Sequence, residues 1–240
     1  MSQIDTVEYI WHNLNYRFVQ LGDSVLDFAE IRREMIDCQI RTADVTKYSI
    51  LRAISAVSRE NFVPPQLKSV AYSEVNLHIG EGRYLLEPRI FAKMLVLLDV
   101  TSKDLVLDIA PGYGYSSAVL AGMAEAVIAI EDKYFAEDAQ EILMNESIDN
   151  AVVYEGNLSA GLNQQGPVDA MIIQGGVQEL PFELIKQVKI GGRIVAIFHE
   201  GVKGECRLGL RTSIGVDWNF GFNASAPILE DFLKKQEFQF

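Results

Sequence analysis

The chain has 240 residues, of which 49% are hydrophobic and 22% charged, which suits a globular protein that buries a full core without disulfides or metals. Its formal net charge of −12 argues against nonspecific nucleic-acid binding and against docking on anionic membranes, because both need a basic surface. An apolar run of about 18 residues is missing, so we expect no transmembrane helix, and the N-terminus lacks a signal-peptide pattern.

The cysteine and histidine content is low. Cys38 and Cys206 are far apart and form no Cys-x-x-Cys pair, which favours a reduced, cytoplasmic location. The three histidines have no paired spacing, so we expect no dedicated metal site.

The N-terminal part reads as an extension followed by helices. Residues 1 to about 28 carry several aromatic side chains, which we expect to pack on the body of the protein or on another subunit of a homo-oligomer. Apolar residues at helical spacing predict helices over 29–41 and 46–57, and Pro64-Pro65 ends this unit.

From residue 88 the pattern changes to alternating helices and short apolar strands. The predicted helices lie at 88–98, 115–123, 134–146 and 181–189. The predicted strands lie at 105–109, 126–130, 151–154, 168–173 and 193–198, with a terminal antiparallel pair within 206–222. This alternation predicts an α/β fold, a Rossmann-like, doubly wound and mostly parallel sheet with an N-terminal helical addition. We divide the chain into a helical and substrate segment, 1–87, and a Rossmann-like domain, 88–240, that together form one compact unit.

A glycine loop follows the first strong strand. Gly112 and Gly114 let the backbone turn sharply and approach a ligand closely. The ligand group there is either the pyrophosphate of a dinucleotide or the carboxylate of a methionine moiety. Because Ala110 replaces a glycine of the full G-x-G-x-x-G pattern, the loop alone is a weak signal.

Three polar residues at strand ends are candidate ligands for a nucleoside. Glu131, 19 residues after Gly112, is placed to accept both ribose hydroxyls, or it is a solvated acid at a helix start. Asp108 could hold loop amides or a ligand ammonium, or cap a turn. Asn157 could read an adenine edge, or serve as a turn residue.

These residues and their flanking segments resemble the protein-L-isoaspartate O-methyltransferase family over about 35–198. The resemblance is carried by Met35–Arg41, Arg59–Pro64 with Ala71-Tyr72, Leu77–Gly82, Asp108–Gly114 and the stretch 169–193. It implies S-adenosylmethionine as the cofactor and carboxyl methylation of damaged aspartyl residues, a protein-repair reaction. It also implies a cofactor site made of Asp108, Ala110, Gly112, Gly114, Glu131 and Asn157.

The acceptor segment departs from the family pattern. The family reads like Gly-Gln-Thr-Ile-Ser-x-Pro, whereas this chain has Gly82-Arg-Tyr-Leu-Leu-Glu-Pro88. Tyr84 stands at the Thr position and Leu86 at the Ser position, so the two hydroxyls implied in holding an isoaspartyl acceptor are replaced. The family has a Thr-Ala-Ala-like stretch after the fourth strand, and this chain has Gln174-Gly175-Gly176 at that place.

Carboxylate methylation sets modest demands on the acceptor site. A carboxylate is ionised at pH 7, so it needs alignment and a dry pocket rather than a general base. Arg83 and Arg89 could pair with an acceptor carboxylate, although Glu87 could neutralise one of them. We expect Gly80–Pro88 to lie against the Gly112 loop and to cover the methyl end of the cofactor as a lid or wall.

Four functions stay open on the sequence alone. They are carboxyl methylation of damaged aspartyl residues, methylation of another protein, peptide or small carboxylate acceptor, non-catalytic binding or scaffolding, and, less well supported, nicotinamide-dependent dehydrogenation. Tyr84 and Leu86 weigh against the first function, and the retained Gly112, Gly114 and Glu131 weigh against the third.

Overall fold

The computed structural model describes residues 26–162, 166–201 and 203–234. Its centre is a seven-stranded sheet in the order β5-β4-β3-β6-β7-β8-β9. The strands of this sheet are β3 (Leu105–Ile109), β4 (Ala126–Glu131), β5 (Ala151–Glu155), β6 (Val168–Val177), β7 (Val188–Glu200), β8 (Lys203–Arg211) and β9 (Val216–Asn223). Two earlier strands, β1 (Leu77–Gly80) and β2 (Arg83–Leu85), form a separate antiparallel hairpin.

Six α-helices accompany the strands within the described residues. They are α1 (Phe28–Met35), α2 (Tyr48–Ala56), α3 (Pro88–Leu98), α4 (Tyr115–Ala121), α5 (Ala136–Asn145) and α6 (Phe182–Ile185). Asp27 caps α1 by accepting the backbone N–H groups of Ala29 and Glu30, and α1 continues through a π-turn into a 3₁₀ turn. Pro88 occupies the first turn of α3, where its missing N–H costs no helical bond. No helix within the described ranges is long and apolar enough to cross a membrane.

The strand order creates a switch point beside β3. Strands β3 to β7 are parallel; the chain moves outward from β3 to β5 and then returns to place β6 on the other side of β3. Ligands of such sheets bind beyond the carboxyl ends of the strands at this point. We therefore expect the ligand site at the carboxyl ends of β3, β4 and β6.

The sheet buries both faces, as the apolar strands predict. Val106 and Val127 face a cluster that includes residues of α2, α3, α4 and α5, whereas Leu107 and Ile109 face the opposite side. That opposite side is covered by the short α6 and by Leu229 and Phe232 near the C-terminal end of the described chain. The sheet is thus doubly covered, with most of its helices on one face.

Several predicted boundaries change in the structure. The helix predicted over 181–189 is wrong beyond its first turns, since α6 ends at Ile185 and Val188 already pairs with Val168 as the start of β7. An apolar run can continue a helix or begin a strand, and here pairing with β6 decides for the strand. The terminal antiparallel pair is confirmed as β8 and β9. The expectation for residues 1–28 falls almost entirely outside the described residues.

Residues on both sides of the proposed division at residue 88 pack together. Met35 and Ile50, from the predicted helical segment, belong to the same buried cluster as Val106 and Ile172 of the sheet. This shared cluster supports the expectation of one compact unit, and the two-part division stays a prediction.

Candidate functional site

The loop between β3 and α4 has the sharp backbone turn that its glycines predict. Gly112 and Gly114 have φ values of 59° and 93°, in the left-handed region that favours glycine. Ala110 adopts φ of 61° although it has a side chain, and its N–H donates to the carbonyl of Ile130. The loop therefore keeps a glycine-type backbone at Ala110 as well.

Asp108 lies one residue before the end of β3 and is completely buried. Its carboxylate accepts hydrogen bonds from the hydroxyls of Ser116 and Ser117 at 2.6 and 2.7 Å, and from the side-chain amide of Gln174 at 2.9 Å. Burial raises the pKa of Asp108 to about 6, and these three donors oppose the rise. Asp108 thus joins α4 and β6 to β3 through these side-chain donors, and a contact with a ligand ammonium stays a prediction.

Glu131 ends β4 and is fully buried beside the same edge of the sheet. Arg83, only 5% exposed, places its Nε 2.5 and 3.1 Å from the two Glu131 oxygens. Its Nη2 donates to Asp132 at 2.7 Å. Burial raises the pKa of Glu131 to about 7, and the Arg83 charge opposes that rise.

The contact of Arg83 differs from the predicted one. We expected its guanidinium to be available to an acceptor carboxylate, but it is engaged by two carboxylates of the protein itself. An isolated buried charge is unfavourable, which explains why Arg83 turns toward Glu131. The neighbouring Arg89 pairs with Glu87 at 2.7 Å, in line with the expectation that Glu87 neutralises one of the two arginines.

The β1–β2 hairpin lies directly against the glycine loop. A β-carbon placed on Gly112 would be 2.5 Å from Cδ1 of Ile79 and 4.0 Å from Cβ of Arg83. This confirms the expected position of the Gly80–Pro88 segment, while its role as a lid stays a prediction. At its base, Asn76 accepts the N–H of Glu87 and donates to the carbonyl of Ser225.

Tyr84 and Leu86 lie in the same segment but differ in exposure. The Tyr84 ring is half-buried and packs on His78 across the hairpin, with centroids 4.9 Å apart. Leu86 and its neighbour Leu85 are buried in the hydrophobic core. The two leucines thus provide an apolar wall, and Tyr84 carries the one side-chain hydroxyl of the segment Gly80–Pro88.

A buried arginine that the sequence analysis used only as a family marker adjoins this wall. Arg59 is 1% exposed and donates to the carbonyls of Ala71 and Leu86 at 2.6 Å each. Its third nitrogen, Nη1, has no hydrogen-bond partner among the described residues. A cavity of about 10 Å³, enough for one water molecule, is lined by Arg59, Tyr84, Leu86, Pro111, Tyr115 and Gln174. Arg59 lies in the polar stretch Ser58-Arg-Glu-Asn61, so its local sequence gave no signal of burial and only the family resemblance marked the segment.

Asn157 forms a turn after β5. Its side-chain oxygen accepts the N–H of Ala160 at 3.0 Å and the hydroxyl of Ser159 at 2.7 Å. These contacts agree with the turn interpretation, and contact with an adenine stays a prediction. No cluster of three or more potential metal-ligating side chains occurs among the residues that the structure describes.

The strand-end residues match the needs of S-adenosylmethionine in kind and position. Gly112 and Gly114 form the close-approach loop, and Glu131 ends the next strand along the sheet. In this conformation, however, Arg83 engages the Glu131 carboxylate and Ile79 packs on Gly112. These residues therefore suit the cofactor in kind, although the space beside Glu131 and Gly112 is filled in this conformation.

Comparisons with known proteins agree with this arrangement. The family model described as protein-L-isoaspartate(D-aspartate) O-methyltransferase matches residues 30–206. A protein-L-isoaspartate O-methyltransferase of Syntrophus aciditrophicus is 36% identical over 169 residues, covering 70% of this chain and 78% of that protein. A protein of the same name from Methanoculleus marisnigri is 36% identical over 166 residues, covering 69% and 76%.

Solved structures show the same fold. A protein-L-isoaspartate O-methyltransferase superposes with a TM-score of 0.72 at 20% identity, covering 82% of this chain and 65% of that one. A Plasmodium falciparum structure described as a member of the same enzyme class, in complex with S-adenosyl-L-homocysteine, gives a TM-score of 0.71 at 17% identity, covering 86% and 99%. The chain belongs to the protein-L-isoaspartate(D-aspartate) O-methyltransferase family.

Proposed function

We propose that the protein is an S-adenosylmethionine-dependent O-methyltransferase that acts on a carboxylate. The observation that carries the proposal is the pairing of a left-handed glycine loop after β3 with a buried acid at the end of β4, in a chain of this family. In the proposed complex, Gly112 and Gly114 hold the methionine end, Glu131 accepts the ribose hydroxyls, and Asn157 lies on the adenine side. Asp108 and Ala110 shape the loop from beneath.

The proposed acceptor site lies between the apolar wall and Arg59. The unpaired Nη1 of Arg59 contributes a positive charge beside the cavity under Tyr84 and Leu86, which favours an anionic acceptor. The acceptor is a protein, a peptide or a small carboxylate. Its methylation needs no general base, because a carboxylate attacks the methyl group in its ionised form.

A second candidate is methylation of an acceptor other than isoaspartate. The specific observation in its favour is that Tyr84 and Leu86 replace both hydroxyl-bearing positions and that the cavity beside them holds about 10 Å³. The contacts of Ile79 and Arg83 with the cofactor loop favour, in turn, the non-catalytic alternative. Location in the cytoplasm and assembly through residues 1–28 belong to the proposal as sequence-based predictions.

Calorimetric titration with S-adenosylmethionine and S-adenosylhomocysteine tests the proposed function. We expect saturable one-to-one binding of both, and no binding of NADH, whose pyrophosphate would need the complete glycine motif. If neither adenosyl ligand binds at millimolar concentration, the proposal is wrong and the scaffold alternative replaces it.

A further inference from the structure

The Arg83–Glu131 contact occupies the group that a bound ribose would need. Glu131 is 0% exposed, and its two oxygens both lie within hydrogen-bonding distance of Arg83 Nε. Although each carboxylate oxygen keeps further lone pairs, the Arg83 Nε lies in front of both oxygens, in the space that the two hydroxyls of a ribose bound to them would occupy. Ribose and Arg83 therefore compete for the same acceptor atoms.

Arg83 has a second partner that would remain available when the first is lost. Its Nη2 donates to Asp132, whose side chain is 31% exposed, whereas Glu131 is buried. An outward movement of the guanidinium can therefore leave Glu131 while keeping one carboxylate contact at the rim. Such an exchange avoids an uncompensated buried charge, the costly part of breaking a buried pair.

The hairpin that carries Arg83 has a tip with left-handed backbone and a base tied by hydrogen bonds. Gly80, Glu81 and Gly82 have φ values of 117°, 42° and 70°, and the register of the hairpin shifts between His78 and Gly80. The base is tied at Asn76 to Glu87 and to the C-terminal segment. Among the described residues, Arg83 joins the tip to the sheet through its ion pairs with Glu131 and Asp132.

We propose that Arg83 is a latch that closes the hairpin over the cofactor loop and makes cofactor binding depend on its release from Glu131. This inference rests on the proposed function, because it assigns the competing ligand as an adenosyl group with free ribose hydroxyls. Arg83 then sets the affinity for the cofactor. Glu131 binds Arg83 in the closed state and the ribose hydroxyls in the cofactor-bound state. Glutamine, the residue that the family pattern has here, lacks the charge that holds the latch.

The test is calorimetric binding of S-adenosylhomocysteine to the full chain and to three variants. Arg83→Gln should bind at least about tenfold more tightly than the unmodified chain, since the closed state loses its ion pair. Arg83→Lys should fall between them, because an ammonium keeps the charge but loses the planar fork. Arg89→Gln is the matched control, because Arg89 is an exposed arginine six residues further along the chain. This variant should bind S-adenosylhomocysteine as tightly as the unmodified chain.

Two results would overturn the latch, and they differ in what else they remove. Equal or weaker binding by Arg83→Gln, with measurable binding by the unmodified chain, overturns the latch and leaves the proposed function intact. No binding by either protein overturns the proposed function and the latch with it. If Arg83→Gln does not fold, the dissociation constants of Arg83→Lys and the unmodified chain are compared instead. Tighter binding by Arg83→Lys supports the latch, and equal or weaker binding overturns it.

Discussion

Two buried carboxylates at the ends of neighbouring strands are held in different ways. Asp108 accepts from three uncharged donors that belong to α4 and β6, so its contacts lie within the α/β framework. Glu131 accepts from the backbone N–H of Asp132 at 3.2 Å and from the guanidinium of Arg83, which belongs to a hairpin outside the seven-stranded sheet. The first arrangement fixes the cofactor loop, whereas the second depends on a contact that a ligand can replace. We call the seven-stranded sheet with Asp108 and the Gly112 loop the framework region. We call the β1–β2 hairpin, the segment to Pro88 and Glu131 the regulated region.

The largest expected effect concerns the acceptor segment of the regulated region. We expect turnover of an isoaspartyl peptide at saturating S-adenosylmethionine to be about 10²–10⁴-fold below that of a relative whose segment reads Gly-Gln-Thr-Ile-Ser-x-Pro. Two hydroxyl contacts to a charged acceptor, worth about 1.5–3 kcal/mol each, are replaced at Tyr84 and Leu86. A methanol-release assay measures the difference, and Tyr84→Thr/Leu86→Ser should recover part of it. Turnover within tenfold of the relative would show that the substitutions are compensated.

The next effect tests whether Asp108 belongs to the framework. Asp108→Ala should lower the free energy of unfolding by about 2–5 kcal/mol, because the buried hydroxyls of Ser116 and Ser117 and the amide of Gln174 lose their acceptor. Asp108→Asn is the matched control with a much smaller loss, since a rotated Gln174 amide can accept from the new side chain. Urea unfolding measures both. Equal losses in the two variants would contradict this role of the network.

A smaller effect follows from the ionisation of Asp108. Its pKa in the folded protein, about 6, lies above the ordinary 3.8, so the folded state binds the proton more tightly. The stability from this group is therefore present below pH 3.8 and is lost as the pH rises through 6. Relative to Asp108→Asn, the unmodified chain should lose on the order of 2–3 kcal/mol between pH 4 and pH 8. Urea unfolding of both proteins at each pH measures this loss. If the difference in their free energies of unfolding is the same at pH 4 and pH 8, Asp108 does not titrate with a raised pKa.

The framework region was largely predictable from the sequence. Apolar runs predicted β3 to β7, Pro88 predicted the start of α3, and the glycines predicted the left-handed loop. These features depend on local periodicity and backbone sterics, which a sequence shows directly. The end of α6 was missed, because pairing of Val188 with Val168 is a tertiary contact.

The regulated region was predictable in position but not in its contacts. The sequence placed Gly80–Pro88 beside the Gly112 loop, yet it assigned Arg83 to a substrate carboxylate. Arg83 and Glu131 are 48 residues apart, and only the folded hairpin brings them together. The contacts of Arg59 also depend on the folded chain. Its Nε and Nη2 donate to the carbonyls of Ala71 and Leu86, which leaves Nη1 without a hydrogen-bond partner among the described residues.

The most direct test of the account is a double-mutant cycle between Arg83 and Glu131, with the dissociation constant of S-adenosylhomocysteine as the measurement. In the Arg83→Gln background, Glu131→Ala should weaken binding by about 1.5–3 kcal/mol, the loss of a charged acceptor for two hydroxyls. In the unmodified background the loss should be smaller by at least about 1 kcal/mol, because the substitution also removes the latch. Losses that agree within about 0.5 kcal/mol in the two backgrounds would mean that Arg83 and the cofactor do not compete for Glu131.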